Sequence, residues 1–206
     1  MHTLNAKGWP DTLHLDPVPT YDVTVHTIPP MNQNGIRLNA RAHNRIVFPD
    51  AGQGLMQFAF ARNARNPYSG LIVELFEAGD CEPIHSLPFG EEIRVLQGKY
   101  DVLVSTVPPT LITDVQVGTG LVVPVQLAAP GDLVLDTRVA GYGAILDATG
   151  TTVIKFDSGN PSGRYNLQPG TYHLVFRARG AQSTDLSVHK TFNITSGNTT
   201  NLNTHG

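Results

Sequence analysis

A ten-residue segment occurs twice in this 206-residue chain, and that repetition limits what the chain can fold into. Tyr21-Asp-Val-Thr-Val-His-Thr-Ile-Pro-Pro30 returns as Tyr100-Asp-Val-Leu-Val-Ser-Thr-Val-Pro-Pro109, identical at seven of ten positions. The offset of 79 continues without a gap through Ile36/Val115, Leu38/Val117, Ile46/Val125 and Gly52/Gly131. A weaker third copy starts at Gly170-Thr-Tyr-His-Leu-Val-Phe176 and realigns at Phe192, Ile194, Gly197 and Leu202. Self-similarity at a fixed period is the signature of stacked or tandem units, each one a supersecondary block.

The segments ahead of these copies match as well. Leu55–Ala61, Gly70–Phe76, Glu82–Leu87 and Glu92–Leu96 correspond in order to Leu133–Val139, Gly143–Asp147, Thr152–Asp157 and Arg164–Gln168. Each set ends at a Gly-x-Tyr turn, Gly98-Lys-Tyr100 or Gly170-Thr-Tyr172. Within the runs, Tyr100, Val102 and Val104 alternate with Asp101, Leu103 and Ser105, the period-2 pattern of a half-buried strand. Turn signals at Ala148-Thr-Gly150, Asp157-Ser-Gly159 and Gln168-Pro-Gly170 recur at sandwich spacing. Pro29-Pro30 and Pro108-Pro109 end their strands, because proline donates nothing to a ladder. The expectation is an all-β chain of tandem seven-stranded Ig-like or prealbumin-like β-sandwich modules. It divides into an incomplete module with a leader (1–53), a module over 54–130 and a module over 131–206. The incomplete module lacks three or four front strands. A piece that small is marginal alone and leaves an edge open to strand addition.

Composition narrows the function classes. Charged residues are only 15% of the chain and the net charge is −3, which supplies no general field for nucleic acid or an anionic membrane. The 20 glycines and 15 prolines oppose long helices. No run of 18 apolar residues occurs, so no membrane-inserting helix is expected, and the first sixteen residues lack the apolar core of a signal peptide. One cysteine, Cys81, excludes an internal disulfide, and an isolated nucleophile without a placed base is not a mechanism.

Leu15-Asp-Pro-Val-Pro-Thr-Tyr-Asp-Val-Thr-Val-His-Thr-Ile-Pro-Pro30 resembles the region C-terminal to von Willebrand factor A domains in some large bacterial proteins. Phe48-Pro-Asp-Ala-Gly-Gln-Gly-Leu55 looks like the join to a following domain. The module, with Gly-x-Tyr ahead of a strand and a closing hairpin at Gly197-Asn-Thr-Thr200, is similar to prealbumin-like (carboxypeptidase-regulatory-like) accessory domains. The A-domain metal motif Asp-x-Ser-x-Ser is absent. The resemblance implies an accessory, extracytoplasmic, stalk-like region and no catalytic residues.

Chemistry is sparse. Eight histidines form no ligand pattern, and the acidic stretch Glu74–Glu82 lacks the alternating spacing of a calcium loop, so no metal and no cofactor are expected. Glu74, Glu77, Glu82, Glu91 and Glu92 are the group an enzyme would have to bring together. Trp9, Tyr68, Tyr142 and Tyr165 do not recur with the repeat and are the candidates for stacking on a sugar; Tyr21, Tyr100 and Tyr172 recur and read as structural, their hydroxyls bonding a loop backbone. Loops near 62–69, 78–82, 158–163 and 177–184 would carry recognition. The function expected is non-catalytic: an accessory or spacer region of a larger bacterial surface or envelope protein. Its partner is another protein chain or the remainder of the same protein. The alternative is a carbohydrate-binding module.

Overall fold

The computed structural model describes residues 12–157, 159–182 and 187–204 and is all-β, with several sheets. A two-stranded hairpin comes first, β1 (Thr20–Val25) and β2 (Met31–Arg37). Seven strands follow: β3 (Gln53–Phe60), β4 (Ile72–Glu77), β5 (His85–Pro88), β6 (Glu92–Leu96), β7 (Gly98–Val104), β8 (Thr110–Val117) and β9 (Val122–Leu127). Seven more complete the chain: β10 (Gly131–Asp136), β11 (Gly141–Asp147), β12 (Thr152–Phe156), β13 (Gly163–Leu167), β14 (Gly170–Ala178), β15 (Val188–Ile194) and β16 (Thr199–Asn203).

Each set of seven splits into a three-stranded and a four-stranded sheet in the same order. The first pair is β6-β3-β9 and β5-β4-β7-β8; the second is β13-β10-β16 and β12-β11-β14-β15. Alternation places the apolar side chains between the layers. Met56, Phe58 and Phe60 from β3 meet Val73 and Leu75 from β4 and Tyr100, Val102 and Val104 from β7 in one core. Leu133, Leu135, Ile145, Tyr172, Leu174 and Phe176 build the second. Full burial of one such side chain contributes about 1.5–3 kcal/mol, so these alternating faces are what hold each pair of sheets together.

The first and last strands of each set are parallel neighbours, β3 with β9 and β10 with β16. The ending at Gly197 is therefore not the closing hairpin expected from sequence. After the tight turn in which Asn198 N–H donates to Thr195 O (3.2 Å), β16 leaves the sheet of β15 and pairs with β10. The sandwich needs that crossover, because the three-stranded layer is otherwise one strand short. Gly131, which opens β10, lies against this turn: a Cβ there would meet Thr195 O at 2.5 Å, so the crossover passes this close only over a glycine. Gly54 is squeezed in the same way against Gly118 O.

The hairpin β1–β2 repeats the register of β7–β8 at each of its five residue pairs. Both ladders shift register after the tyrosine, between Tyr21 and Val23 and between Tyr100 and Val102. The bulged aspartate turns its carboxylate to a left-handed residue across the pair. Gly35 N–H (φ +69°) donates to Asp22 Oδ1 at 2.8 Å, and Asp114 N–H (φ +58°) donates to Asp101 Oδ1 at 2.9 Å. Asp101 also accepts Gly79 N–H at 3.0 Å, and these backbone donors hold its carboxyl below the usual range.

Candidate functional site

The recurrent Thr-x-Pro-Pro ends of β1 and β7 do more than stop strands. In each, the threonine hydroxyl donates to the carbonyl of the first proline at 2.7 Å, Thr27 to Pro29 and Thr106 to Pro108. Both preceding peptide bonds, Ile28–Pro29 and Val107–Pro108, are cis. This turn pushes one apolar side chain forward into the next block of strands. Ile28 packs on the core built by β3–β9, and Val107 packs on the core built by β10–β16.

The receiving side is equally regular. Leu96 N–H donates to Ile28 O at 2.7 Å, while Leu96 O accepts the Tyr100 hydroxyl at 2.8 Å. One block later, Gln168 N–H donates to Val107 O at 2.7 Å, and Gln168 O accepts the Tyr172 hydroxyl at 2.7 Å. A single residue, four positions ahead of the recurrent tyrosine, thus ties the incoming turn to the tyrosine of the receiving core. The tyrosines act as the corner posts expected from sequence. Burial is the larger reason that the Tyr100 and Tyr172 hydroxyls are pushed up to about 12; Glu77 adds to it at Tyr100, and Tyr68 and then Asp147 at Tyr172.

The second joint carries an extra contact. Gln168 Nε2 donates to the Tyr68 hydroxyl at 3.4 Å, a bond between residues a hundred positions apart. The Tyr68 ring lies 6.4 Å from Phe60, and burial raises its hydroxyl pKa against the opposing effect of Gln168 and the Val107 backbone. Beside this joint an open cleft of about 340 Å³ lies between Thr106–Pro109 and the strip formed by Asp147 and Thr151–Val153. The Asp147 carboxylate is already engaged there, accepting Thr149 N–H and Thr151 N–H at 2.9 Å each and the Thr149 hydroxyl at 2.6 Å.

The other residues singled out from sequence are dispersed. Tyr165 packs on Phe156 at 5.7 Å and donates its hydroxyl to Pro161 O at 2.7 Å. Tyr142, on β11 opposite Arg177, is 50% exposed. Trp9 lies outside the described residues. Glu74 and Glu77 sit on β4 and Glu92 on β6 in the other sheet, where it accepts the Gln57 side-chain amide. Among the described residues no three His, Cys, Asp or Glu side chains come together as a metal site would require. Cys81 is exposed. No described helix is long and apolar enough to cross a membrane.

Sequence reasoning missed the joints. The available signal was an apolar residue, Ile28 or Val107, kept inside an otherwise turn-forming Thr-x-Pro-Pro motif, where a solvated turn has no use for one.

No protein-family model matches the chain, and no curated protein does. Among solved structures it is similar to the Bacillus anthracis TIE protein at 11% identity and a TM-score of 0.33, covering 74% of this chain and 33% of that one. The chain thus spans about a third of the length of that Bacillus structure. The minor pilin GBS52 of Streptococcus agalactiae matches at 12% identity and a TM-score of 0.40, over 74% of this chain and 94% of the pilin. A streptococcal ancillary pilin matches at 15% identity and a TM-score of 0.34, over 90% and 76%. At these scores nothing of those proteins' roles transfers to this chain.

Proposed function

We propose that the chain is a non-catalytic, stalk-like region of a larger bacterial surface or envelope protein, in which tandem β-sandwich units over 54–130 and 131–206 follow an incomplete unit over 1–53. The relation to regions that follow von Willebrand factor A domains, and an extracytoplasmic location, belong to this reading. The observation that carries it is the repeated joint: one apolar side chain and one backbone hydrogen bond lock each block to the next, at Ile28 with Leu96 and at Val107 with Gln168. A joint of this kind fixes the angle between blocks, and a fixed angle is what a spacer needs to hold a distance.

Spin labels placed on β5 and β12 test it by pulsed distance measurement. The wild-type chain gives one narrow distance distribution, and Val107→Gly broadens it while each core keeps its circular-dichroism signature. A broad distribution in the wild type overturns the reading.

The carbohydrate-binding alternative retains one observation, the half-exposed Tyr142 ring. Retardation on polysaccharide gels that disappears in Tyr142→Ala would favour it over a spacer.

A further inference from the structure

The register shift of the first hairpin sets two residues, Asn34 and Gly35, opposite the single residue Asp22. Asn34-Gly35 is the chain's one Asn-Gly pair, and every other asparagine precedes a residue that carries a side chain. The difference is chemical. The main-chain nitrogen after an asparagine can reach that asparagine's side-chain carbonyl carbon, Cγ, and attack there closes a five-membered ring. A Cβ on the attacking residue obstructs the approach, and glycine has none. Because both groups belong to one short stretch of chain, the reaction is intramolecular and needs no encounter.

We propose that Asn34-Gly35 is a self-modification site, at which Gly35 N attacks Asn34 Cγ and forms a succinimide that water opens to aspartate or isoaspartate. Three observations support it. Gly35 N–H donates to Asp22 Oδ1 at 2.8 Å, so a carboxylate already holds the proton that the attacking nitrogen must give up. Gly35 has φ +69°, and a Cβ built on it would meet no atom within 4 Å, so the ring closes in open space. Asn34 is exposed, and among the described residues its side-chain amide makes no hydrogen bond that would restrain it. That exposure belongs to the position in the hairpin. Its counterpart Thr113 is exposed too, although β8 lies in a complete set of seven strands. The site therefore does not rest on what lies beside β1. Thr113-Asp114 has no side-chain amide at the first position, so β7–β8 lacks the reaction.

The step balances without a redox partner. The bond from Gly35 N to Asn34 Cγ forms, and the Cγ–NH2 bond breaks. The proton of Gly35 N passes by way of Asp22 to the departing nitrogen, which leaves as ammonia. One water then opens the ring. Addition at Cγ gives aspartate on the original main chain, and addition at the Asn34 main-chain carbonyl gives isoaspartate. Either product adds a negative charge next to the nitrogen that Asp22 caps. Isoaspartate also lengthens the main chain by one carbon between Gln33 and Ile36, the paired residues on either side of the bulge.

The test ages the full chain in neutral buffer and follows the tryptic peptide 8–37 by mass spectrometry, with fragmentation that separates aspartate from isoaspartate. Asn32 lies in the same peptide and is the internal reference. Asn34 is expected to convert about tenfold faster than Asn32 or more, a barrier lower by roughly 1.4 kcal/mol, and to give both products. Asn34→Thr, which installs the side chain of the second hairpin, is expected to leave the peptide unchanged with age. Asp22→Asn keeps an acceptor oxygen without the carboxylate and is expected to slow conversion at Asn34 about tenfold. Three results overturn the proposal. Conversion of Asn34 no faster than that of Asn32 shows that the pair is not a site. Aspartate without isoaspartate shows direct hydrolysis with no ring. A rate in Asp22→Asn equal to or above that of the wild type removes Asp22 as the proton acceptor.

Discussion

Two hairpins of this chain, β1–β2 and β7–β8, share a register, the bulge at the aspartate, a left-handed residue that the aspartate caps, and the cis-proline turn, although their sequences agree only along the first strand and the turn. Their environments differ. Tyr100 is 2% exposed in a two-layer core, while its counterpart Tyr21 is half-buried and bonds only a leader carbonyl, Asp16 O, at 2.7 Å. Asp101 caps two backbone donors, and Asp22 caps one of the pair. The recurrent first strand and Thr-x-Pro-Pro turn therefore go with one backbone geometry, and the neighbouring strands dictate how much energy that geometry is worth.

The largest test of that separation is truncation of the tyrosines. Tyr100→Ala should cost about 3–5 kcal/mol, as loss of a large buried ring does, and Tyr21→Ala less than about 1 kcal/mol, both read from urea midpoints. If the two variants cost the same, the first hairpin has a cover not visible among the described residues. Gly131→Ala probes the packing that the first hairpin lacks. Its new Cβ meets backbone oxygen at 2.5 Å and should cost about 1–3 kcal/mol, whereas Gly35→Ala meets no atom within 4 Å and is limited to its left-handed backbone.

Alkaline pH sharpens the contrast from another side. The Tyr100 and Tyr172 hydroxyls are raised from 10.0 to about 12, so the folded state holds their protons more tightly than the unfolded chain does. Their contribution is complete below pH 10 and disappears as pH rises from 10 through 12. Urea midpoints should fall across that window, and the double variant Tyr100→Phe, Tyr172→Phe should flatten the fall. Tyr100→Phe alone removes the bond to Leu96 O and should cost about 1 kcal/mol at neutral pH. The smallest effect is at the other extreme. The Asp101 and Asp147 carboxyls lie below their usual 3.8, so what they contribute is present above pH 3.8 and is lost as pH falls through their folded values. Asp101→Asn should remove part of that acid sensitivity, measured by thermal melts between pH 2 and 5.

The strands were readable because alternation is local: Tyr172, Leu174 and Phe176 announce a buried face within seven residues. The repeat was readable because its first two copies agree at seven of ten positions and keep one offset beyond them. The crossover of β16 was not readable, since Gly197-Asn-Thr-Thr200 is as good a hairpin turn as a sheet-switching one, and the choice is made by β10, more than sixty residues earlier. Tyr68 stands among the sugar-stacking candidates because it does not recur, yet its hydroxyl meets Gln168 across a joint. No window of sequence contains both partners. The joints themselves depend on a shape, a cis-proline turn that projects one side chain, and periodicity does not encode shape.

The parallel pairing of the first and last strand in each set has a mechanical consequence. The chain enters at the start of β3 and leaves at the far end of β9, which runs beside it through six matched residue pairs from Leu55 with Val122 to Phe60 with Leu127. Tension on the two ends therefore slides these strands along each other, and the rungs between them are loaded all at once. An antiparallel pair pulled from one end would open like a zipper, rung by rung. β10 and β16 repeat the arrangement with five pairs. Under force, each block behaves as a clasp fastened along its whole length.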